Sequence, residues 1–173
     1  MLFSVIGHYS LILGLFIGLI LIFFSIKNFR SSINLDTKIL SFTFLQFILV
    51  VVSFLCLILS FVFSDFSNET VFNNSHTTKP LFYKISGTWG NHEGSLLLWL
   101  LVLTLFIFLF LIKTKDQPTK YKILTLVFQQ VIIIGFFVFL IKTSNPFNYL
   151  YPIPEEGLGL NPILQDPALA IHP

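Results

Sequence analysis

The chain has 173 residues, of which 55% are hydrophobic and only 10% are charged. Soluble domains carry about 25% charged residues, so this composition excludes an ordinary water-exposed globule and favours an integral membrane protein. The formal net charge of +2 comes from basic residues spread along the chain, and we therefore expect no binding to nucleic acid.

Four long apolar stretches predict four membrane-spanning helices. Each is long enough to cross a bilayer, which takes roughly 17 to 25 helical residues. The predicted spans cover about 4–26, 39–63, 92–112 and 123–141. We therefore expect an all-α integral membrane protein with about four transmembrane helices in residues 1–142. Residues 143–173 are interpreted as an outer, Pro-rich C-terminal segment that ends in the start of a further helix.

The basic residues predict how the chain is oriented in the membrane. Seven of the ten lie in the first and third connections between the spans, at Lys27, Arg30, Lys38, Lys113, Lys115, Lys120 and Lys122. Loops rich in Lys and Arg stay on the cytoplasmic or matrix side of a membrane. The long second loop and both termini are therefore expected on the opposite, outer side.

Small and polar residues inside the spans point to helix packing. Ser10, Gly14 and Gly18 recur every four residues on one face of the first span, a spacing that lets another helix approach closely. Glycine is also common in membrane helices in general, so both explanations stay open. Gln129 and Gln130 fall at mid-depth of the fourth span. Because an amide in hydrocarbon needs a partner, at least one of them is expected to face another helix.

The run TWGNHEGS at residues 88–95 is the most informative stretch of the chain. It places Trp89, His92 and Glu93 at the outer mouth of the third span, where nearly every other side chain is apolar. Asn91 is a good N-cap for that helix and would put His92 in its first turn. We interpret the cluster as a binding surface. The alternative is interfacial anchoring, because tryptophans and polar caps often mark membrane boundaries.

A second candidate lies at the carboxyl end of the chain. Asp166 is a good N-cap and Pro167 suits the first turn of a helix, so a helix is predicted to begin there. His172 would then be an imidazole on the outer side, at the membrane edge. On pattern alone, a ligand role for His172 and an ordinary polar role are equally open.

Several kinds of site are absent from the sequence. No predicted span carries a histidine at mid-depth, so this chain by itself does not hold a haem between two axial histidines. It also lacks the Cys and His spacing of a zinc site and the glycine loop that binds phosphate.

Two segments carry a resemblance to a known family. Residues 80–99, PLFYKISGTWGNHEGSLLLW, and residues 144–173, SNPFNYLYPIPEEGLGLNPILQDPALAIHP, resemble the N-terminal part of the CcmF/NrfE family, which also includes CycK and CcsA-type proteins. Members are cytochrome c haem lyases of a multi-protein maturation pathway. The resemblance covers essentially the whole chain.

The resemblance implies a haem-binding role. It suggests a subunit of a cytochrome c haem lyase that provides a scaffold and an axial histidine for the covalent attachment of haem to apocytochrome c. By position in LQDPALAIHP, His172 corresponds to a ligand of the iron of a transiently bound haem b. Trp89 and His92 would line or brace the haem surface, a weaker assignment that follows from the location of their motif.

The resemblance also implies partners. The family's tryptophan-rich WWD segment and its second outer histidine have no counterpart in these 173 residues. The expected partners are therefore a C-terminal CcmF fragment that carries the WWD segment, the haem chaperone CcmE, apocytochrome c and the lipid bilayer. On this interpretation the chain is part of a multi-chain haem lyase and is not active alone.

Composition and resemblance together suggest a location. The abundance of Phe, with many Ile, Leu, Asn and Lys residues, is typical of AT-rich genomes, and split CcmF proteins are known in mitochondria. We expect the mitochondrial inner membrane, with the termini facing the intermembrane space; the alternative is a bacterial inner membrane with periplasmic termini. The alternative function is that of an accessory membrane subunit of a respiratory complex.

Overall fold

A computed structural model of the chain describes residues 1–29, 36–159 and 166–171. The described residues form seven helices: α1 (Leu2–Asn28), α2 (Asp36–Val62), α3 (Glu69–Asn74), α4 (Leu81–Gly87), α5 (His92–Lys113), α6 (Thr119–Lys142) and α7 (Pro167–Ile171). Within these ranges the only β-type pairing is an isolated bridge between Asn68 and Tyr149.

The four long helices α1, α2, α5 and α6 are each long and apolar enough to cross a membrane. This finding confirms the predicted all-α membrane protein with four spanning helices. Each long helix packs mainly against two others, in the order α1, α2, α5, α6 and back to α1. The four helices therefore form a ring in which chain neighbours run antiparallel.

The two ends of this bundle differ in composition. One end, which we call the Lys-rich end, consists of helix ends and the connections between them. It holds Lys27, Lys38, Lys113, Lys115, Lys120 and Lys122. The other, the Met1 end, is covered by residues 63–91, 143–159 and 166–171, which include α3, α4 and α7. We call these covering residues the loop layer. The candidate site residues that the structure describes all lie at this end.

A pair of buried amides joins three helices in the middle of the bundle. Gln46 of α2 and Gln130 of α6 are both fully buried. Each side-chain amide donates to the other, at 3.2 Å from Gln46 Nε2 and 2.8 Å from Gln130 Nε2. Gln46 Nε2 also donates to the carbonyl oxygen of Gly14 in α1, at 3.2 Å. The expectation that a mid-span glutamine faces another helix is confirmed for Gln130.

The glycines of α1 make room for this pair. A Cβ atom on Gly18 would lie 2.8 Å from Gln46 Nε2, and one on Gly14 would lie 2.7 Å from the ring of Phe137 in α6. Both distances are shorter than side chains tolerate without movement. The small-residue face of the first span is therefore confirmed as a helix-packing face, and it faces α2 and α6.

The loop layer is attached to the bundle through Asn68. Its side-chain oxygen accepts from the amide of Val71 at 3.1 Å and so caps α3. Its side-chain nitrogen donates to Ser4 Oγ in α1 at 3.1 Å and to the carbonyl of Pro146 at 2.9 Å. One buried side chain thus joins α1, α3 and the segment that follows α6.

Backbone hydrogen bonds hold the segment after α6 against α3. Glu69 N donates to the carbonyl of Asn148, and Leu150 N donates to the carbonyl of Ser67, both at 2.9 Å. Further along, Leu158 N donates to the carbonyl of Phe72 at 2.8 Å. Residues 143–159 therefore lie across the Met1 end as an ordered strap, and they lead towards α7.

Candidate functional site

The turn between α4 and α5 explains most of the TWGNHEGS run in physical terms. Asn91 accepts from the amide of Gly94 at 2.8 Å, which confirms it as the N-cap of α5. The side-chain nitrogen of Asn91 reaches back to the carbonyl of Gly87 at 2.7 Å and that of Thr88 at 3.2 Å. It thereby satisfies carbonyls left unpaired at the end of α4.

Gly94 is required by the tightness of this turn. A Cβ atom there would overlap the carbonyl oxygen of Thr88 and lie 2.8 Å from its carbonyl carbon. Both are backbone atoms and cannot move aside without opening the turn. Asn91 and Gly94 are therefore needed to hold α4 against the start of α5, a structural role that is separate from ligand binding.

Trp89 connects this turn to the carboxyl end of the chain. Its indole Nε1 donates to the carbonyl oxygen of Ala170 in α7, at 3.1 Å. The ring is partly buried and packs against the edge of the apolar core. The helix α7 also contacts α4, which precedes Trp89. Two segments singled out from the sequence, 88–95 and 166–173, are thus joined by a direct hydrogen bond.

His172 lies outside the described residues, two positions beyond Ala170. The helix that precedes it is described: Asp166 Oδ1 accepts from the amide of Ala168 at 2.9 Å, and Ala170 is buried. An isolated helix as short as α7 is not stable in water. Its contacts with α4 and Trp89 therefore account for its presence.

His92 faces a different neighbour from Trp89. Its Nε2 atom lies 3.1 Å from Ser144 Oγ, immediately after α6, and its ring meets Phe139 edge-on at a centroid distance of 6.5 Å. His92 therefore joins the start of α5 to the end of α6. The structure places Trp89 against α7 and His92 against α6, so the two predicted site residues serve separate contacts.

A third histidine, His8 of α1, binds the residue next to Ser144. The side-chain nitrogen of Asn145 donates to His8 Nδ1 at 3.3 Å. His8 and His92 thus hold adjacent residues at the end of α6, one from α1 and one from α5. Sequence reasoning missed this arrangement because nothing local marks Ser144 or Asn145 as partners of residues so distant in the chain.

Trp99 differs from Trp89 in its surroundings. It lies two turns into α5 and its side chain is 63% exposed on the outside of the bundle. This position is typical of a tryptophan that anchors a helix at the membrane boundary. Trp99 is therefore a natural comparison for Trp89 in experiments.

The loop layer also contains a polar cavity of about 470 Å³ that sequence reasoning missed. Its polar side chains come from residues 76–83, and its far wall is formed by Leu158 and Gly159 of the strap. The sequence offered no signal for it, because the two walls are separated by about eighty positions. Glu156 of the strap borders this region and is hydrogen-bonded to Thr77.

Two charged groups near this cavity have shifted pKa values. The hydroxyl and amide of Thr77 both donate to Glu156, and these bonds lower the pKa of Glu156 to about 2. Desolvation lowers the pKa of Lys79 to about 8. The carboxylate therefore stays ionised at neutral pH, and the ammonium stays mostly protonated but loses its proton at a lower pH than an ordinary lysine.

The described residues contain no group of three or more His, Cys, Asp or Glu side chains that could hold a metal ion.

Comparison with known proteins supports the sequence resemblance. Residues 89–173 match the family model described as cytochrome C assembly protein. The chain is 43% identical over 171 residues to the cytochrome c-type biogenesis protein CycK of Rhizobium meliloti, an alignment that covers 96% of this chain and 25% of CycK. It is 36% identical over 169 residues to CcmF of Haemophilus influenzae, covering 96% of this chain and 26% of that protein.

A solved structure of the cytochrome c haem lyase CcmF has the same fold. It matches with a TM-score of 0.78 and 24% sequence identity, over 87% of this chain and 25% of that chain. The present chain thus spans about a quarter of the length of the relatives that it matches. The chain belongs to the CcmF-type family of cytochrome c biogenesis proteins and corresponds to the N-terminal part of its members.

Proposed function

We propose that this chain is the haem-presenting N-terminal part of a cytochrome c haem lyase, in which His172 is an axial ligand of haem iron. The observation that carries the proposal is the hydrogen bond of 3.1 Å from Trp89 Nε1 to the carbonyl of Ala170. It fixes the helix that leads to His172 against the conspicuous TWGNHEGS turn. Such fixing supports a role as a ligand, because interactions that orient a metal-ligating imidazole strengthen metal binding.

The described residues fit a haem in this role. An axial imidazole needs a rigid support and a flat apolar surface beside it. Trp89 supplies an indole ring and the support for α7, while α4 carries exposed apolar side chains, Leu81 and Phe82. Bound haem would supply the vinyl groups that become thioether links to the apocytochrome. The chain's own residues hold and orient that group.

His92 has a positioning role in this proposal. Its Nε2 atom is engaged by Ser144, so its described contact braces the junction of α5 and α6. His92 is the first residue of α5 and directly follows Asn91, the cap of the turn that contains Trp89. We therefore assign the ligand role to His172 and a bracing role to both Trp89 and His92.

The remaining parts of the site come from outside these residues. We propose that they are supplied by the rest of a CcmF-type protein, including its WWD segment, with CcmE as haem donor and apocytochrome c as acceptor. The Met1 end faces the outer compartment, because the Lys-rich end carries the basic connections. That compartment is the mitochondrial intermembrane space, or the periplasm if the chain is bacterial.

A second function, as an accessory subunit of a respiratory complex, has no observation that favours it. A proton path needs ionisable residues within the membrane. The buried polar pair described at the centre of the bundle consists of two glutamine amides that bind each other.

The test compares two histidine variants in the assembled lyase, purified with the rest of the CcmF-type protein. His172→Ala is expected to abolish the visible absorption bands of the transient haem without changing the helical content. His8→Gln, which keeps a hydrogen-bond partner for Asn145, is the matched control and should retain those bands. An unchanged haem spectrum in His172→Ala would contradict the ligand role.

A further inference from the structure

The polar cavity in the loop layer has the features of a site for an anionic group. His76, Thr78, Lys79 and Tyr83 line one side, and Leu158 and Gly159 line the other. The imidazole Nδ1 of His76 lies 3.0 Å from Thr78 Oγ1. Residues that carry hydroxyl, imidazole and ammonium groups thus line one opening about 470 Å³ in volume.

The acidic residue beside the cavity is already engaged. Glu156 Oε1 accepts from the amides of Thr77 at 2.9 Å and Gly157 at 3.0 Å, and its other oxygen accepts from the Thr77 hydroxyl. Its contact with His76 Nε2 is longer, at 3.8 Å. Both carboxylate oxygens of Glu156 therefore already accept hydrogen bonds from the loop.

Lys79 has a backbone carbonyl, and not a carboxylate, as its described hydrogen-bond partner. Its ammonium donates to the carbonyl of Asn74 at 3.1 Å, and the side chain is partly buried. Among the described residues, ion pairs join Met1 with Asp65 and His76 with Glu156, and neither pair involves Lys79. Burial removes water from this ammonium, which is unfavourable when its partner is a neutral carbonyl. A bound carboxylate would offset that free energy through a charge-assisted hydrogen bond.

The cavity lies at the opposite end of α4 from Trp89. Lys79 and Tyr83 are at the start of this helix, and Trp89 follows its end. Seven helical residues span about 10 Å at 1.5 Å per residue. This length is of the same order as the distance from the iron of a haem to its propionate carboxylates. The strap that forms the far wall of the cavity is also the segment that leads to α7.

We propose that this cavity binds a propionate carboxylate of the haem, with Lys79 as its cationic partner and Tyr83 as an additional donor. The proposal rests on the proposed function, because it assumes that His172 holds the iron. It assigns to the loop layer a second contact with haem, which fixes the rotation of the porphyrin about its axial ligand.

This site has a defined pH dependence. A bound carboxylate favours the charged form of Lys79, whose pKa in the free protein is lowered to about 8. Affinity should therefore fall as pH rises through 8, where the unliganded ammonium loses its proton. Glu156, with a pKa of about 2, keeps a constant charge across this range. His76 and Tyr83 are the other titratable groups that line the opening.

The experiment measures binding of haem and of haem dimethyl ester, in which both propionates are blocked. The assembled lyase, purified with the rest of the CcmF-type protein, is used in lipid nanodiscs, as wild type, Lys79→Met, Lys79→Arg and Lys84→Met. Lys84 is the matched control, because its ammonium donates to Ser64 Oγ at 2.7 Å and does not line the cavity. Iron-free protoporphyrin IX is titrated in parallel to separate the carboxylate contact from iron ligation.

The wild type, Lys79→Arg and Lys84→Met should bind haem about tenfold more tightly than its ester, as expected for one charge-assisted hydrogen bond. Lys79→Met should lose this preference, for protoporphyrin as well as for haem, while its affinity for the ester stays unchanged. If haem binds but Lys79→Met keeps the wild-type preference, the propionate site is wrong and the proposed function stands. If the wild-type assembled lyase binds no haem, the proposed function fails and this inference fails with it.

Discussion

The transmembrane bundle and the loop layer are held together by different chemistry. Among the described residues, the bundle relies on apolar side chains and on one central amide pair, Gln46 and Gln130. The loop layer relies on hydrogen bonds from Asn, Ser and Thr side chains and on backbone pairing across the strap. The bundle therefore tolerates changes on its lipid-facing surface, whereas single polar contacts decide the geometry of the loop layer.

The largest expected effect comes from a glycine substitution in the first turn of α5. Gly94→Ala would force a Cβ atom against the backbone of Thr88, so the turn that holds α4 must open. Overpacking of this kind costs about 1 to 3 kcal/mol and sometimes more. Thermal unfolding in detergent should show a large loss of stability.

Gly135→Ala in α6 is the matched control. A Cβ atom at Gly135 would meet nothing within 4 Å. Alanine is favoured over glycine in a helix by about 1 kcal/mol, so this variant should be neutral or slightly stabilised. Equal unfolding temperatures for the two alanine variants would contradict the claim that the loop layer is less tolerant of substitution than the surface of the bundle.

The next effect is expected at Asn68, which joins α1, α3 and the strap. Asn68→Ala removes a helix cap and leaves the carbonyl of Pro146 without its donor. A loss of about 2 kcal/mol is expected, since capping contributes about 1 kcal/mol and an unpaired buried acceptor costs a similar amount. Limited proteolysis should then cut within residues 143–159 much faster.

Asn73→Ala provides the control for this measurement. Asn73 lies in the same short helix, α3, and is exposed. Its replacement should leave the rate of cleavage near that of the wild type. Cleavage of the strap at the same rate in both variants would argue against Asn68 as the attachment point.

A smaller effect is expected at the centre of the bundle. Gln46→Leu or Gln130→Leu alone leaves one buried amide without its partner, and hydrogen bonds between membrane helices are worth about 0.6 to 2 kcal/mol. The double variant removes both amides together and should regain most of that loss. A double-mutant cycle in detergent measures this coupling; additive losses would contradict it.

The smallest effect concerns pH and Glu156. Hydrogen bonds from Thr77 lower the pKa of this carboxyl from 4.5 to about 2. Because the folded-state pKa is depressed, Glu156 stabilises the loop layer above pH 4.5, and that contribution is lost as pH falls towards 2. Amide exchange at Thr77, corrected for intrinsic rates, should therefore rise over this range. Glu156→Gln should remove the pH dependence, whereas Glu155→Gln should preserve it.

The same contrast explains what could be predicted from the sequence. The spanning helices and the Asn91 cap follow from local signals, namely apolar length and the order of residues around one turn. The contacts that build the site join residues far apart: Trp89 and Ala170 are separated by 81 positions, Asn68 and Pro146 by 78. No periodicity or propensity encodes such pairs, because they depend on how the strap crosses the Met1 end.

The amide pair combines a feature that the sequence predicts with a contact that it does not. The need of a mid-span glutamine for a partner follows from the cost of an unpaired amide in hydrocarbon. That partner, Gln46, lies 84 positions away, and its identity depends on which faces of α2 and α6 meet. Physical chemistry thus predicted the bond but not the residue that completes it.

The central claim is that Trp89 holds α7 so that His172 can ligate haem iron. Its most direct test is the haem affinity of Trp89→Phe, which keeps an aromatic ring and removes the indole donor to Ala170. Compared with Trp99→Phe at the exposed tryptophan of α5, it should bind haem about fivefold more weakly, as expected for the loss of a hydrogen bond worth about 1 kcal/mol. Identical affinities and absorption spectra for the two variants would contradict the claim.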